Sequence, residues 1–386
     1  MSFWVRRIAG NFLLIGLLFL LRGEICQASM EEEQSEAEFM QQEMMEDLEL
    51  SQVERAVDEL LEEDVSFREL FQGLVKDGQI SFDFSWEKVG LLFLADVLGI
   101  QKKTCIHILL LVLVAALFSG FSGVLENRQI GEISFYIVYL FLFVLLLKNF
   151  EGFSSQIQET MTRTVEFMRA LLPAYYLAIT AAEGVSTATL FYQMILLVIL
   201  LAERVILAFL LPGVRIYFLV ELTNYLTKEE LLSKMAELLK AGIQWALKTI
   251  VGVILGLQLI QRLISPAVDA LKRTIVGKTA EAIPGVGNLF SGVTEMVLGS
   301  AVLIKNCLGA AALIILLLAA APPVIRLGVS SVFYRFIAAL VQPVTDNRMV
   351  GCIQTMGEGV GMLLRLLFTV EILFFLTIAI LAGSLG

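Results

Sequence analysis

The sequence predicts an all-α polytopic membrane protein, and three observations lead to this fold class. Hydrophobic residues make up 58% of the chain and charged residues 17%, against about 45–50% and about 25% in soluble domains. The mean hydropathy is +0.81. Apolar runs close to the roughly 20 residues needed to cross hydrocarbon recur along the chain. We therefore expect about seven transmembrane helices, some of them broken or kinked at prolines.

The start of the chain predicts a secretory signal peptide over residues 1–28. Arg6 and Arg7 precede an apolar core at 8–21, and small residues stand before a cleavage point at Ser29, which is the pattern of such signals. An uncleaved signal anchor is the alternative. In either case we expect residues 29–100 to be exported.

The exported segment is acidic and is predicted to be helical. Residues 31–64 contain fifteen Asp and Glu and a single base, so this stretch carries −14 while the whole chain carries −10. Apolar residues at helical spacing from 50 to 61 predict one helix. Ser66 and Glu69 predict a capping box that opens a second helix, and the amphipathic stretch 86–98 predicts an interfacial helix.

Residues 101–386 form the predicted multi-span membrane domain. Its less regular segments are interrupted by prolines, by a glycine, or by adjacent charges. The clearest spans are 104–124, 132–148, 243–264, 307–321 and 358–383. The interruptions are Pro173, Glu183-Gly184, Glu203-Arg204, Pro212-Gly213, Pro284-Gly285 and Pro322-Pro323.

Matched prolines predict an internal duplication that covers 132–250 and 245–386. Pro173 and Pro284 are separated by 111 residues, as are Pro212 and Pro323. Broken helices at matching positions of two halves point to a central site or pathway. Similarity of composition among membrane segments is the alternative. The candidate hinge residues are Pro173, Pro212, Gly213, Pro284, Gly285 and Pro323.

Polar residues inside apolar runs are the candidate pathway or pairing residues, because a charge at a helix centre costs roughly 2.5–3.5 kcal/mol on insertion scales. We expect Lys305 to line a wet cavity or to meet a carboxylate such as Glu295. Snorkelling of these residues at helix ends is the alternative. The candidates are Glu183, Glu295, Lys305, Asn306 and Glu371.

Two arginines are predicted to be interfacial cations. Arg215 and Arg326 are separated by 111 residues, and each follows a proline by three residues. A cation in the first turn of a helix opposes the helix dipole. We expect lipid phosphate to compensate each charge.

The residue inventory argues against an enzyme. The chain has one histidine, His107, four cysteines and no C-x-x-C pair. It therefore offers few of the side chains that bind zinc. It contains neither H-E-x-x-H nor a phosphate-binding G-x-x-x-x-G-K-S/T loop. We expect no catalytic residue, no cofactor, no bound metal and no nucleic-acid partner.

The order of several motifs resembles the stage III sporulation protein AE family of endospore-forming bacteria. A signal peptide and an acidic exported segment come first, and the remaining motifs follow in the family's order. These motifs are Phe84 to Leu92, Arg273-Thr274, Ala282 to Gly287, Ala301 to Gly309, Pro323, and Leu340 to Pro343. No catalytic signature belongs to the family, so no active site carries over.

The resemblance implies a membrane core component of the channel or feeding-tube assembly that joins mother cell and forespore after engulfment. Implied partners are membrane lipid, other stage III sporulation proteins including a separate cytoplasmic ATPase, and, in a homo-oligomer, further copies of this chain. The implied location is the mother-cell membrane around the forespore, with residues 29–100 facing the space between the membranes. The alternatives are a self-sufficient secondary transporter and an enzyme of lipid or cell-wall metabolism, against which the residue inventory argues.

Overall fold

The computed structural model of this chain is helical, with no strand in the part that it describes. It describes residues 44, 48, 50–61, 65–77, 106–114, 116–117, 128–226, 232–280 and 287–382. The helices are α1 (Ser51–Leu60), α2 (Phe67–Asp77), α3 (Arg128–Glu183), α4 (Val185–Leu200), α5 (Leu211–Asn224), α6 (Ser233–Ala280), α7 (Gly287–Val341) and α8 (Asn347–Ala382). A π-helical segment, Leu201–Leu210, joins α4 to α5.

Five helices in this part of the chain are long and apolar enough to cross a membrane, with α4, the π segment and α5 counted as one. The all-α membrane class predicted from the sequence is therefore confirmed. The expected number of about seven spans stays a prediction. One predicted span, 104–124, falls largely outside the described residues, although residues 106–114 and 116–117 are helical.

Helix α8 is the central helix, and α3 and α6 run parallel to it. Their contacts with α8 advance along both chains in the same order. The pairs are Tyr139–Cys352 (3.1 Å) and Thr164–Glu371 (3.1 Å) for α3, and Lys240–Glu358 and Gln258–Thr377 (2.9 Å) for α6.

Helices α5 and α7 run antiparallel to α8. Their contacts with α8 advance in opposite orders. The pairs are Tyr217–Glu358 (3.5 Å) and Tyr225–Gly351 for α5, and Ser331–Gly357 (2.7 Å) and Gly309–Ala382 for α7. Successive long helices therefore alternate in direction, which is the arrangement expected when short connections join antiparallel neighbours.

Glycine at position 359 allows α8 to approach α3 and α5 closely. The rings of Phe150 and Phe218 stack there with centroids 3.9 Å apart and planes inclined by 14°. A Cβ atom at position 359 would lie 2.9 Å from Phe150 and 3.0 Å from Phe218. A larger residue would therefore displace the stacked rings, as small residues permit close helix approach in membranes.

The helices are longer than the spans expected from the sequence. Helix α3 has 56 residues, so at 1.5 Å per residue it is about 84 Å long, against about 30 Å for the hydrocarbon core. The predicted spans at 132–148, 243–264, 307–321 and 358–383 form parts of α3, α6, α7 and α8. Hydropathy marks apolar stretches but not the polar helical residues that continue them.

Gly184 interrupts the helical backbone, whereas Pro173, Pro322 and Pro323 do not. Gly184 separates α3 from α4 with a φ of +98°, a conformation that side chains with a Cβ rarely adopt. Helix α3 continues through Pro173, and α7 continues through Pro322 and Pro323. Membrane helices tolerate proline when neighbouring groups satisfy the freed carbonyls. The expected breaks at these prolines are thus absent from the described backbone.

The remaining candidate hinges lie at a helix start or outside the described residues. Pro212 and Gly213 stand in the first turn of α5, directly after the π segment. Pro284 and Gly285 are not among the described residues. Pro212 and Pro323 both lie in helices antiparallel to α8, but the duplication stays a prediction.

The acidic segment contains two helices that pack on the bundle. In α1 the buried residues Val53, Val57 and Leu60 share one face, as the helical spacing predicts. The amide of Glu69 lies 3.3 Å from Ser66 Oγ, which is the backbone half of the predicted capping box. Phe67 is fully buried, with its ring edge toward Phe167 of α3 at 6.4 Å. The predicted interfacial helix at 86–98 lies outside the described residues.

Candidate functional site

Lys305 and Glu183 form an ion pair inside the helix bundle. Lys305 Nζ lies 2.7 Å from Glu183 Oε1, and the lysine side chain is fully buried while that of Glu183 is 14% exposed. Lys305 therefore meets a carboxylate, and that carboxylate belongs to Glu183 and not to Glu295. The side chain of Glu295 is outside the described part of the structure.

The turn at Gly184 places Glu183 at this position. Helix α3 ends at Glu183, and the amide of Gly184 donates to the carbonyl of Thr180 at 3.0 Å. Helix α4 then begins at Val185. The carboxylate therefore comes from a helix end, while Lys305 lies within a continuous apolar helix. A buried charge pair of this kind requires close geometry to offset its desolvation.

Buried polar groups without hydrogen-bond partners accompany the ion pair. Asn306 follows Lys305, and its Oδ1 atom has no hydrogen-bond partner among the described residues. The same holds for the buried hydroxyl of Tyr175. A Cβ atom at Gly309, one turn after Lys305, would lie 2.8 Å from that hydroxyl. The contact between α3 and α7 is therefore polar at Lys305 and Asn306 and tightly packed at Gly309.

Glu371 is a second buried carboxyl group, in the second half of α8. It is 3% exposed, and the Thr164 hydroxyl donates to its Oε1 atom at 3.1 Å. Its Oε2 atom has no partner among the described residues. Glu371 does not join the pair of Lys305 and Glu183, so the candidate residues occupy two separate places in the bundle.

A third polar centre, absent from the sequence-based candidates, links α5, α6 and α8. Lys240 pairs with Glu358, and the Tyr217 hydroxyl donates to the same carboxylate at 3.5 Å. The side chains of Lys240 and Glu358 are 38% and 26% exposed. Lys240 lies in a polar stretch, and Glu358 stands between glycines. Neither residue interrupts an apolar run. A charge inside an apolar run is the feature by which the sequence indicates a candidate residue.

The two predicted interfacial arginines have different surroundings. Arg215 Nε donates to Ser154 Oγ at 2.6 Å, and another guanidinium nitrogen donates to Gln158 Oε1 at 3.0 Å. Side chains of α3 therefore accept hydrogen bonds from the guanidinium group of Arg215. Arg326 is half-buried and makes no hydrogen bond or ion pair with described residues.

These three centres connect helices of the bundle. Each links at least two helices through opposite charges or a hydroxyl. No group of three or more His, Cys, Asp or Glu side chains that could hold a metal ion occurs among the described residues. The arrangement defines a polytopic α-helical membrane protein whose helices are connected by polar contacts, some of them buried.

The chain belongs to the stage III sporulation protein AE family. The family model described as "Stage III sporulation protein AE" matches residues 65–384. The chain is similar to the stage III sporulation protein AE of Bacillus subtilis (strain 168), with 23% identity over 281 residues, which is 72% of this chain and 70% of that protein. No solved structure matches the chain.

Proposed function

We propose that the chain is a non-enzymatic membrane core component of the assembly that connects mother cell and forespore, and that it is needed for forespore development after engulfment. Membership of the stage III sporulation protein AE family supports the sporulation role. The observation that carries the structural part is the set of five membrane-length helices, fastened by polar contacts to α8. Such a bundle suits a rigid channel-forming component.

The proposed partners are other stage III sporulation proteins, including a separate cytoplasmic ATPase. A separate ATPase agrees with the lack of a phosphate-binding G-x-x-x-x-G-K-S/T loop in this sequence. The proposed location is the mother-cell membrane around the forespore. Residues 29–100 would face the space between the two membranes.

The packing of α1 and α2 limits which part of the acidic segment can contact partners. Their apolar faces are used within the chain, since Val53, Val57 and Phe71 are fully buried. The outer face of α1 is exposed at Asp58 and Glu59. A partner would therefore meet charged side chains at this outer face.

Replacement of the chromosomal gene in a sporulating host tests the proposal. We expect a strain without this chain to complete engulfment and then to lose late gene expression in the forespore. We also expect the other stage III proteins to co-purify with one another only when this chain is present. Normal late forespore expression in the strain without the chain would contradict the proposal.

A self-sufficient secondary transporter is the second candidate, and the matched prolines favour it. Purified full-length chain in liposomes separates the two candidates. A structural channel component should give no solute accumulation under an imposed ion gradient, because it works only within its assembly. Gradient-driven accumulation by the purified chain would favour the transporter.

A further inference from the structure

The carboxyl group of Glu371 is enclosed by apolar side chains. Glu371 is 3% exposed, and its neighbours along α8, Val370, Leu373 and Phe374, have no exposed surface. Its position is close to the midpoint of the apolar run at 358–383. An ionised carboxylate in such surroundings needs a paired cation or hydrogen-bond donors, because removing a charge from water is costly.

No base supplies a cation to Glu371. The acids of the other two polar centres, Glu183 and Glu358, each pair with a lysine. In the part of the chain that the structure describes, no acid or base of any helix lies near enough to Glu371 to interact with its charge. Thr164 of α3 is the one side chain there that makes a hydrogen bond to it. The polar contact of Glu371 therefore depends on a single hydroxyl group.

The geometry at Thr164 does not suit a charged acceptor. A hydroxyl group has one proton to donate, and two acceptors lie within its reach. These are the carbonyl oxygen of Thr160 at 3.0 Å and Oε1 of Glu371 at 3.1 Å. Hydrogen bonds from a hydroxyl to a carboxylate are usually about 2.5–2.7 Å long. The longer separation and the shared proton fit an uncharged carboxyl group better.

The second carboxyl oxygen leads to the same conclusion. Oε2 of Glu371 is buried and has no hydrogen-bond partner among the described residues. A buried oxygen without a partner costs more free energy when it carries charge than when it is neutral. Ionisable groups that are buried without a partner generally become neutral instead. For a carboxyl group, this means that it keeps its proton.

We propose that Glu371 is a proton-binding site, at which a bound proton keeps the carboxyl group neutral while α8 packs against α3. When the proton leaves, the O–H bond breaks, its electron pair stays on the carboxylate and the proton passes to water. The charge left behind faces apolar side chains, so loss of the proton weakens the contact between the two helices. This inference is independent of the proposed function.

Infrared spectroscopy of the purified full-length chain in lipid nanodiscs tests for the proton. A protonated carboxyl group has a carbonyl-stretch band that a carboxylate lacks, and glutamate labelled with carbon-13 identifies the bands that come from Glu. At neutral pH we expect such a band in the wild type and in Glu166→Gln, a control at an exposed acid of α3. The band should disappear in Glu371→Gln.

A second variant keeps this test decisive if Glu371→Gln fails to fold. Glu371→Asp retains a carboxyl group, so its band should no longer shift with labelled glutamate. Two results would overturn the proposal. One is a wild type without a glutamate band of this kind, and the other is a band that persists unchanged in the variants at position 371.

Thermal denaturation at several pH values tests what the proton does. An exposed glutamic acid loses its proton above about pH 4.3, so position 371 is ionised in the unfolded chain at neutral pH but carries a proton in the folded chain. Stability then falls as the pH rises, because the folded state binds the additional proton. Glu371→Gln has no proton to release. The thermal midpoint of the wild type should therefore fall relative to that of Glu371→Gln as the pH rises from about 5 to about 8.

A difference between the two midpoints that stays constant, or that changes in the opposite direction, would show that the proton does not stabilise the packing of α8 against α3. Neither measurement depends on sporulation. The proposed function fails separately, in the strain without the chain.

Discussion

Lys305 shows how a single buried charge acts on this bundle. Its ammonium group has no exposure and meets Glu183 at 2.7 Å. Removing one partner of a buried pair leaves an uncompensated charge, which typically costs about 3–5 kcal/mol. Replacing both partners by uncharged side chains of similar volume often leaves stability unchanged.

We expect Lys305→Ala and Glu183→Gln each to lower the thermal stability of the purified protein and its abundance in cells. The double variant Lys305→Met with Glu183→Gln should recover most of that loss, because neither charge remains. Thermal denaturation in detergent and immunoblotting measure the two quantities. A double variant no more stable than Lys305→Ala would show that the pairing does not govern stability. Forespore development in the recovered double variant then reports any role of the pair beyond folding.

Gly184 provides a second prediction at this scale. Its φ of +98° is strained for alanine, so Gly184→Ala should destabilise the protein by about 1 kcal/mol or more. Gly152 is the matched control, because it lies within α3 and a Cβ atom added there would meet no atom within 4 Å. Gly152→Ala should be neutral or stabilising by up to about 1 kcal/mol. Equal effects of the two substitutions on the thermal midpoint would contradict this backbone argument.

Charged residues at this scale are easier to predict from the sequence than their partners. Glu183, Lys305 and Glu371 stand out because charges interrupt apolar runs, and all three have largely buried side chains. Their partners depend on which helices pack together, and that information is not local in the sequence. Glu183 and Lys305 are 122 positions apart, so no spacing rule could pair them.

At the scale of elements, prolines are poor guides to helix ends because the cost of a proline depends on its surroundings. In an exposed helix a proline costs about 3 kcal/mol, which predicts a break. Within α3 and α7 the helices continue through Pro173 and Pro323. The long helices therefore cannot be delimited from proline positions, whereas Glu183-Gly184 does mark a true helix end.

The docking of α1 and α2 gives a prediction for these elements. Phe67 is fully buried, and truncation of a buried Phe to Ala typically costs about 3–5 kcal/mol. We expect Phe67→Ala to release α1 and α2 from α3 and α7, and to make the region around residue 61 sensitive to protease. Asp58→Ala, at an exposed position of α1, is the control and should leave the cleavage pattern unchanged. Resistance of both variants would mean that Phe67 does not hold the two helices.

Alternation of the long helices gives a prediction for the whole molecule. The five membrane-length helices reverse direction at each step, so the end of α5, the start of α6 and the connection at 342–346 lie at the end of the bundle where α3 begins. The end of α8 lies at the other end. We expect reporter fusions between α5 and α6 and within 342–346 to be cytoplasmic and a fusion after residue 382 to be exported, on the side of residues 29–100. A phosphatase and a fluorescent-protein reporter at each point would decide this, and one common side for all three points would contradict it.

The central position of α8 has a consequence for biogenesis. Helices α3 to α7 leave the ribosome before α8, yet Thr164, Lys240 and Gln258 find their partners on α8. Until the 36 residues of α8 are inserted, those polar groups remain in a nascent, incomplete bundle. Lateral release of the earlier helices into lipid would expose them, so the insertion machinery must retain the helices as a set. Quality-control proteases would accordingly recognise any product that stops short of α8, because the polar partners of Thr164, Lys240 and Gln258 all lie on that helix.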